Sequence, residues 1–351
     1  LKCSGHFNLA VAAVAMDALL RLPPASGSST RSTDRHTAAF VHQIFSTAIA
    51  SLSSSAEAMT FPTRAEAPDA RSLEGMRCSS SSRFRVALIA PHPDDFDILA
   101  ATMALFAERP GGCDIRVCVL SCGSGVEDSF CTEKRGVAPT PPAIRKIRRG
   151  EQQAGCNFFE EKYPGSVTLK FLELEESGAP DYAYATRGQT LLTSANYDTF
   201  ALYLSEVDPD VVMLPAVYET LPAAEPSPMP GGPGNSGHYR CGKLVEEALR
   251  RSGRPTALLQ HADPKTVSMR RDLFTPYDAE TREWKAEMLR LHESQHVRNL
   301  ETRGVGFDSR ILAPELVNAK ELARGTKEWE EVWAAKGVAG VEVFQLDFVN
   351  C

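Results

Sequence analysis

Residues Phe84 to Asp97 read F-R-V-A-L-I-A-P-H-P-D-D-F-D. Past Arg85 the first half is continuously apolar and of strand length. That is the pattern of a strand buried on both faces of a parallel sheet. His92, Asp94 and Asp95 follow it directly. Pro93 fixes one backbone torsion and turns His92 away from helical conformation. The turn is therefore stiff, and its polar side chains are held in defined directions.

Outward from this point the chain alternates. Ile98 to Glu108 is predicted as a helix and Asp114 to Ser121 as a second strand, ending in the turn Cys122-Gly123-Ser124-Gly125. Val126 to Pro142 reads as a loop, Ala143 to Phe159 as a helix and Ser166 to Leu174 as a third strand. Tyr197 to Val207 is a helix and Pro209 to Pro215 a strongly apolar fourth strand. A Pro- and Gly-rich loop, Ala216 to Gly237, leads to an amphipathic helix at Tyr239 to Arg251. Thr256 to Gln260 is a fifth strand, Glu280 to Gln295 a further helix and Val341 to Phe348 a late strand.

Strand alternating with helix implies an α/β fold, a Rossmann-like three-layer arrangement with a mostly parallel sheet and helices on both faces. Right-handed crossovers gather the loops that follow the strands on one rim, where such sheets bind ligands. His92, Asp94 and Asp95 follow strand one, Gly123 to Gly125 strand two, and the loop ending at His238 strand four. Three features thus meet on one edge.

The first 82 residues differ from this pattern. They are rich in Ser, Ala and Thr with little apolar periodicity, and read as a low-complexity extension, disordered or targeting. Residues 83–351 form the expected folded domain. The chain has 351 residues and a formal net charge of −7, which argues against a nucleic-acid partner. No apolar run reaches the ~18–20 residues of a transmembrane helix. The nine cysteines are scattered, with no C-x-x-C pair, and read as reduced thiols. A cytoplasmic location is the default expectation.

A histidine beside carboxylates suits Zn²⁺ or another divalent first-row metal. Two adjacent Asp do not both reach one metal from the same side. One would ligate and the other would stand beside the metal's water as its base. A catalytic zinc takes about three protein ligands and keeps one position open. Of the eight histidines, His238 is the best candidate for the remaining ligand, because it closes the loop after the strongest strand and starts a helix. The plain alternative for His92-Pro93-Asp94-Asp95 is a polar strand-to-helix turn whose Asp favours a helix N-terminus.

Several motifs, in order, resemble the LmbE-like or PIG-L family of zinc-dependent de-N-acetylases. These are Ala90-Pro-His-Pro-Asp-Asp-Phe-Asp-Ile98, Arg148-Arg-Gly-Glu151, Asp208-Pro-Asp-Val-Val212, Gly237-His-Tyr-Arg240, Lys285 with His292-Glu-Ser-Gln295, and Val341-Glu-Val-Phe344. They span about residues 84 to 348. The resemblance implies that His92, Asp95 and His238 bind zinc and that Asp94 is the general base. It implies a hydrolase that removes acetyl from an N-acetylated sugar, an N-acetylglucosaminyl conjugate, as its small-molecule partner.

The chain departs from the family in places. Phe96 stands where an acidic residue is common, and Asp97 supplies an acid at the next position. Asn235 occupies the position of a histidine that assists the transition state. Asn can donate a hydrogen bond to an oxyanion but cannot shuttle a proton. Arg148 can contact an anionic substrate group or pair with Glu151. His292 can line the site or hold structure by hydrogen bonding, and Glu342 can support the site or anchor the core. Gly123-Ser124-Gly125 can cradle a phosphate or form a tight turn. Two other readings stand beside the hydrolase: a sugar-binding descendant without catalysis, and an amidase of a related small conjugate. A nucleotide-binding domain ranks last, because residues 90 to 99 contain no glycine.

Overall fold

The computed structural model describes residues 84–351 apart from 109–111, 122–124, 173, 175–193, 216–235, 254–255, 262–272, 324–330, 332–333, 335–336 and 350–351. The N-terminal extension, Gly123, Ser124, the Pro-rich loop and Asn235 lie outside the described residues. Seven strands form one sheet in the order β3-β2-β1-β4-β5-β7-β6. β1 (Phe84–Ala90), β2 (Cys113–Val119), β3 (Val167–Phe171), β4 (Val211–Pro215) and β5 (Thr256–His261) run parallel. β7 (Val338–Val349) is antiparallel to both β5 and β6 (Leu273–Asp278). The fold is α/β and Rossmann-like, as the alternation implies.

Successive strand residues face opposite ways, so each apolar strand feeds two cores. Val86, Leu88, Met213 and Leu259 pack with helices α1 (Ala100–Ala107) and α2 (Pro141–Lys162), through residues such as Met103, Phe106, Cys156 and Phe159. Ala87, Ile89, Val212, Leu214 and Leu258 pack on the other face with α3 (Ser194–Val207) and α4 (Ser236–Ser252). Buried Cys241, Leu244, Val245, Ala248 and Leu249 form the α4 stripe at spacings of three and four, one face of a helix.

Arg85 locks the entry of β1 against that of β4. It donates to Asp208 Oδ2 at 2.8 Å and to the Val207 carbonyl at 2.9 Å, while its backbone N–H reaches Asp210 Oδ2 at 2.9 Å. From β1 the chain winds out through β2 to β3, then returns to β4 on the other side and continues to β5. The carboxyl ends of β1 and β4 therefore flank the topological switch point, the ordinary ligand crevice of such sheets.

Four regions differ from the sequence expectation. The helix expected over Glu280 to Gln295 is two, α5 (Ala279–Arg290) and α6 (Glu293–Arg303), because His292 adopts a non-helical backbone with its side chain drawn inward. A further helix, α7 (Phe307–Ala323), contains Pro314, and strand β6 contains Pro276. The expected loop at Val126 to Pro142 holds a short π-helical turn, Phe130–Lys134. Cys113, Cys118, Cys131, Cys156 and Cys241 are buried and outside any disulfide. Burial drives the Cys156 and Cys241 thiols well above the usual thiol pKa, so both stay protonated. Among the described residues no helix is long and apolar enough to cross a membrane.

Candidate metal centre and active site

The turn after β1 is fixed from within and from below. The Asp95 carboxylate accepts the His92 backbone N–H at 2.9 Å through Oδ2. Ser121, beyond β2, donates its N–H and its hydroxyl to the Pro91 carbonyl at 3.1 and 3.0 Å. These bonds leave Asp95 Oδ1 facing α4, where His238 Nε2 lies 3.5 Å away. His238 stands three residues before Cys241, at the head of the buried stripe of α4, and is itself 5% exposed. His92 Nδ1 is 3.8 Å from Asp95 Oδ2, and the two imidazoles are 5.3 Å apart between centroids.

His92, Asp95 and His238 each offer a ligand atom, all within 4.8 Å of one another. Tetrahedral zinc with bonds of about 2.0–2.1 Å sets its ligand atoms about 3.3 Å apart. The 3.5 and 3.8 Å separations run to different oxygens of Asp95, and with all three ligand atoms within 4.8 Å of one another a bound metal would draw them together by up to about 1.5 Å. Two imidazoles and a carboxylate are also the donor set that zinc prefers. The residues present fit a divalent metal, and His92 remains partly exposed toward solvent.

Asp94, in the same turn, has contacts of its own. Its φ is 130°, a region that L residues rarely adopt. Its Oδ1 lies 3.1 Å from Arg148 Nη2, and its backbone N–H donates to Gln152 Oε1 at 3.0 Å. Arg148 also donates to the Pro93 carbonyl. Its other nitrogen is 3.7 Å from Glu151 Oε2, and the residue is 2% exposed. Arg148 thus sits beneath the turn, clamped between its backbone and Glu151.

The residues His292-Glu-Ser-Gln295 open α6 and tie three segments of the rim together. His292 Nε2 meets Asp97 Oδ2 at 2.8 Å. Ser294 donates its N–H and hydroxyl to the Glu151 carboxylate at 2.7 and 2.6 Å, and Gln295 Nε2 donates to the Gly125 carbonyl at 2.7 Å. His292 is fully buried, so it lines no open surface. Burial opposes its charge, yet the bonded Asp97 carboxylate, helped by Asp94, outweighs burial and holds its pKa above the usual imidazole value. Helix α2 comes close to Asp97 only because residue 155 is glycine; a Cβ there would lie 2.2 Å from Asp97 Oδ1.

Behind the turn lies a second polar group. Glu342 on β7 accepts the Ala101 and Thr102 N–H groups at 3.1 and 2.9 Å, at the free end of α1. Fully buried Lys285 bridges Glu342 Oε1 at 2.6 Å and the Glu315 carboxylate at 2.7 and 2.9 Å. The Tyr277 hydroxyl also donates to Glu315. Gln152 and Glu315 carry no periodic or spacing signal in the sequence. Asp97 is marked by its place after Asp94 and Asp95, and Glu342 by the Val341-Glu-Val-Phe344 motif.

No protein-family model matches this chain, and no curated protein matches it. Solved structures do. The hydratase GalB of Pseudomonas putida KT2440, a 4-carboxy-2-hydroxymuconate hydratase, superposes with a TM-score of 0.52 at 16% identity, over 75% of this chain and 95% of its own. This chain resembles the LmbE-like or PIG-L proteins. The N,N′-diacetylchitobiose deacetylase of Pyrococcus horikoshii aligns over 75% of this chain and 83% of its own, at 16% identity and a TM-score of 0.49. A deacetylase of teicoplanin biosynthesis aligns over 76% and 99%, at 16% identity and 0.47. The likeness to GalB is one of fold.

Proposed function

We propose that the chain is a metal-dependent hydrolase that removes acetyl from an N-acetylated sugar, with zinc held by His92, Asp95 and His238. The observation that carries this reading is the meeting of those three side chains at the switch point, with Asp94 in the same turn. Bound zinc would supply a Lewis acid and an acidified water. Asp94 accepts the proton of the attacking water and returns it to the leaving nitrogen, so that amide and water become acetate and amine. Arg148 engages one oxygen of Asp94 and fixes its direction; the other oxygen is the one that serves the water. The motif series from Ala90 to Phe344 supports an N-acetylglucosaminyl substrate.

The test is metal content by elemental analysis, with acetate release from N,N′-diacetylchitobiose and other N-acetylglucosaminides. About one divalent metal per chain is expected. Asp94→Asn should keep the metal and lose turnover by ~10²–10⁴-fold. Full activity in that variant would refute the assigned base. The fold shared with GalB favours one second reading, addition of water to an unsaturated acid by the same ligands and base. Hydration of such an acid with no acetate released from any amide would select it.

A further inference from the structure

Asp94 has a problem of conformation. At φ 130° its backbone occupies a region that L residues rarely adopt and that persists only where neighbours impose it. Two residues of α2, one helical turn apart, meet it: Arg148 at its carboxylate and Gln152 at its backbone N–H. Arg148 acts on the end of the side chain and on the Pro93 carbonyl. Among the described residues, Gln152 is the side chain that accepts the Asp94 backbone N–H, where the unusual torsion lies.

The orientation of the Gln152 amide follows from chemistry. A backbone N–H only donates, so the atom 3.0 Å from it must be the amide oxygen. The amide nitrogen then faces Asp97 Oδ2 at 2.9 Å, the oxygen that His292 Nε2 also meets at 2.8 Å. Gln152, Asp97 and His292 are each 0% exposed, so no water competes for these bonds. A glutamate of the same shape would set one carboxylate against another. An aliphatic chain would leave the Asp94 N–H and the Asp97 oxygen without this partner.

We propose that Gln152 is a positioning residue for the hydrolytic reaction: it holds the Asp94 backbone in its unusual torsion and is itself aimed by the Asp97–His292 pair. The inference rests on the reading of Asp94 as the base. It makes the His292 side chain a member of a three-residue support that ends at the Asp94 amide, rather than a wall of the pocket.

The test uses the full chain loaded with zinc. It compares parent, Asp94→Asn, Gln152→Leu, Gln152→Glu, and Gln152→Glu combined with Asp97→Asn. Acetate release from N,N′-diacetylchitobiose gives kcat and KM, elemental analysis gives metal content, and hydrogen exchange of the turn peptide reports the Asp94 amide. Gln152→Leu should lower kcat about 100-fold, the scale of a ~1 Å misplacement, with KM within about threefold and metal content unchanged. Its Asp94 amide should exchange faster, a readout that needs no turnover. Gln152→Glu should lose similarly. Adding Asp97→Asn reverses donor and acceptor between the two positions, its second amide hydrogen going to His292 Nε2 as the acceptor tautomer, and should recover about tenfold or more of kcat.

A merely structural glutamine would show the reversal in stability alone, with kcat per folded, metal-loaded chain unchanged across the series. Absence of recovery in the folded double variant overturns the inference. So does Gln152→Leu with parental kcat and a slow Asp94 amide while Asp94→Asn is inactive. If Gln152→Leu does not fold, the Gln152→Glu pair decides alone. A fully active Asp94→Asn overturns the proposed function itself, a result distinct from either.

Discussion

Replacing Lys285 by methionine removes the one cation that, among the described residues, the Glu315 and Glu342 carboxylates share. The ammonium is 0% exposed and makes bonds of 2.6, 2.7 and 2.9 Å to them. Methionine fills similar volume, so packing is nearly conserved and the loss is electrostatic. Breaking a buried ion pair from one side costs ~3–5 kcal/mol, because a charge is left without compensation. For a domain of this size each kcal/mol moves the melting midpoint ~2–4 °C, so Lys285→Met should melt about 6–20 °C below the parent at pH 7. The deficit should shrink at pH 5. Burial holds the folded Glu315 pKa above its unfolded value, and loss of the lysine's pull leaves it there, so the penalty fades as pH falls toward the unfolded value. Thermal melts followed by circular dichroism at both pH values check this. A shift under about 2 °C at pH 7, or an equal deficit at both pH values, would refute the reasoning.

The parent should carry a related pH signature. Burial pushes the Glu315 carboxyl up to about 7, against the pull of Lys285. A raised folded pKa gives stability that is complete below the unfolded value, ~4.3, and lost as pH rises through about 7; Glu315→Gln should flatten the melting midpoint between pH 5 and 7.5. In helix α2, Gly155→Ala sets a Cβ 2.2 Å from Asp97 Oδ1 and should cost ~1–3 kcal/mol by denaturant titration. Gly150→Ala in the same helix meets nothing within 4 Å and should gain up to ~1 kcal/mol. Saturating zinc should raise the parent's melting midpoint, by ~2.7 kcal/mol of stability at a hundred times Kd. His238→Ala should abolish that rise, and a full rise in the variant would remove His238 from the ligand set.

Strands β1, β4 and β5 were legible because buried parallel strands leave short, mostly apolar runs between breakers, and β2 because Asp114 and Arg116 alternate with buried apolar residues. β6 was not: Pro276 argues against a strand, and the structure tolerates it because β6 is an edge paired only with β7. Pro314 hid helix α7 in the same way. The break between α5 and α6 has no glycine or proline to mark it. It arises where the His292 ring reaches Asp97, a contact 195 residues apart in sequence. The trio His92, Asp95 and His238 was legible because topology brings together the loops that follow β1 and β4. Gln152 was not, since its partners are a backbone N–H and a carboxylate 58 and 55 residues away. Nothing in a single sequence distinguishes it from an ordinary helix glutamine.

The cap that Glu342 places on α1 joins positions 241 and 240 residues apart. β7, which carries Glu342, also lies between β5 and β6, so β6 reaches the sheet only through it. The helix that leaves the His-Pro-Asp-Asp turn is therefore finished by nearly the last segment of the described chain. A ribosome still holding residues 338–349 in its exit tunnel would carry a nascent domain with β6 unattached and α1 open at its leading end. The turn that carries His92, Asp94 and Asp95 thus leans on a strand more than two hundred residues away, and a chain shortened before Val338 would leave the Ala101 and Thr102 N–H groups without this cap.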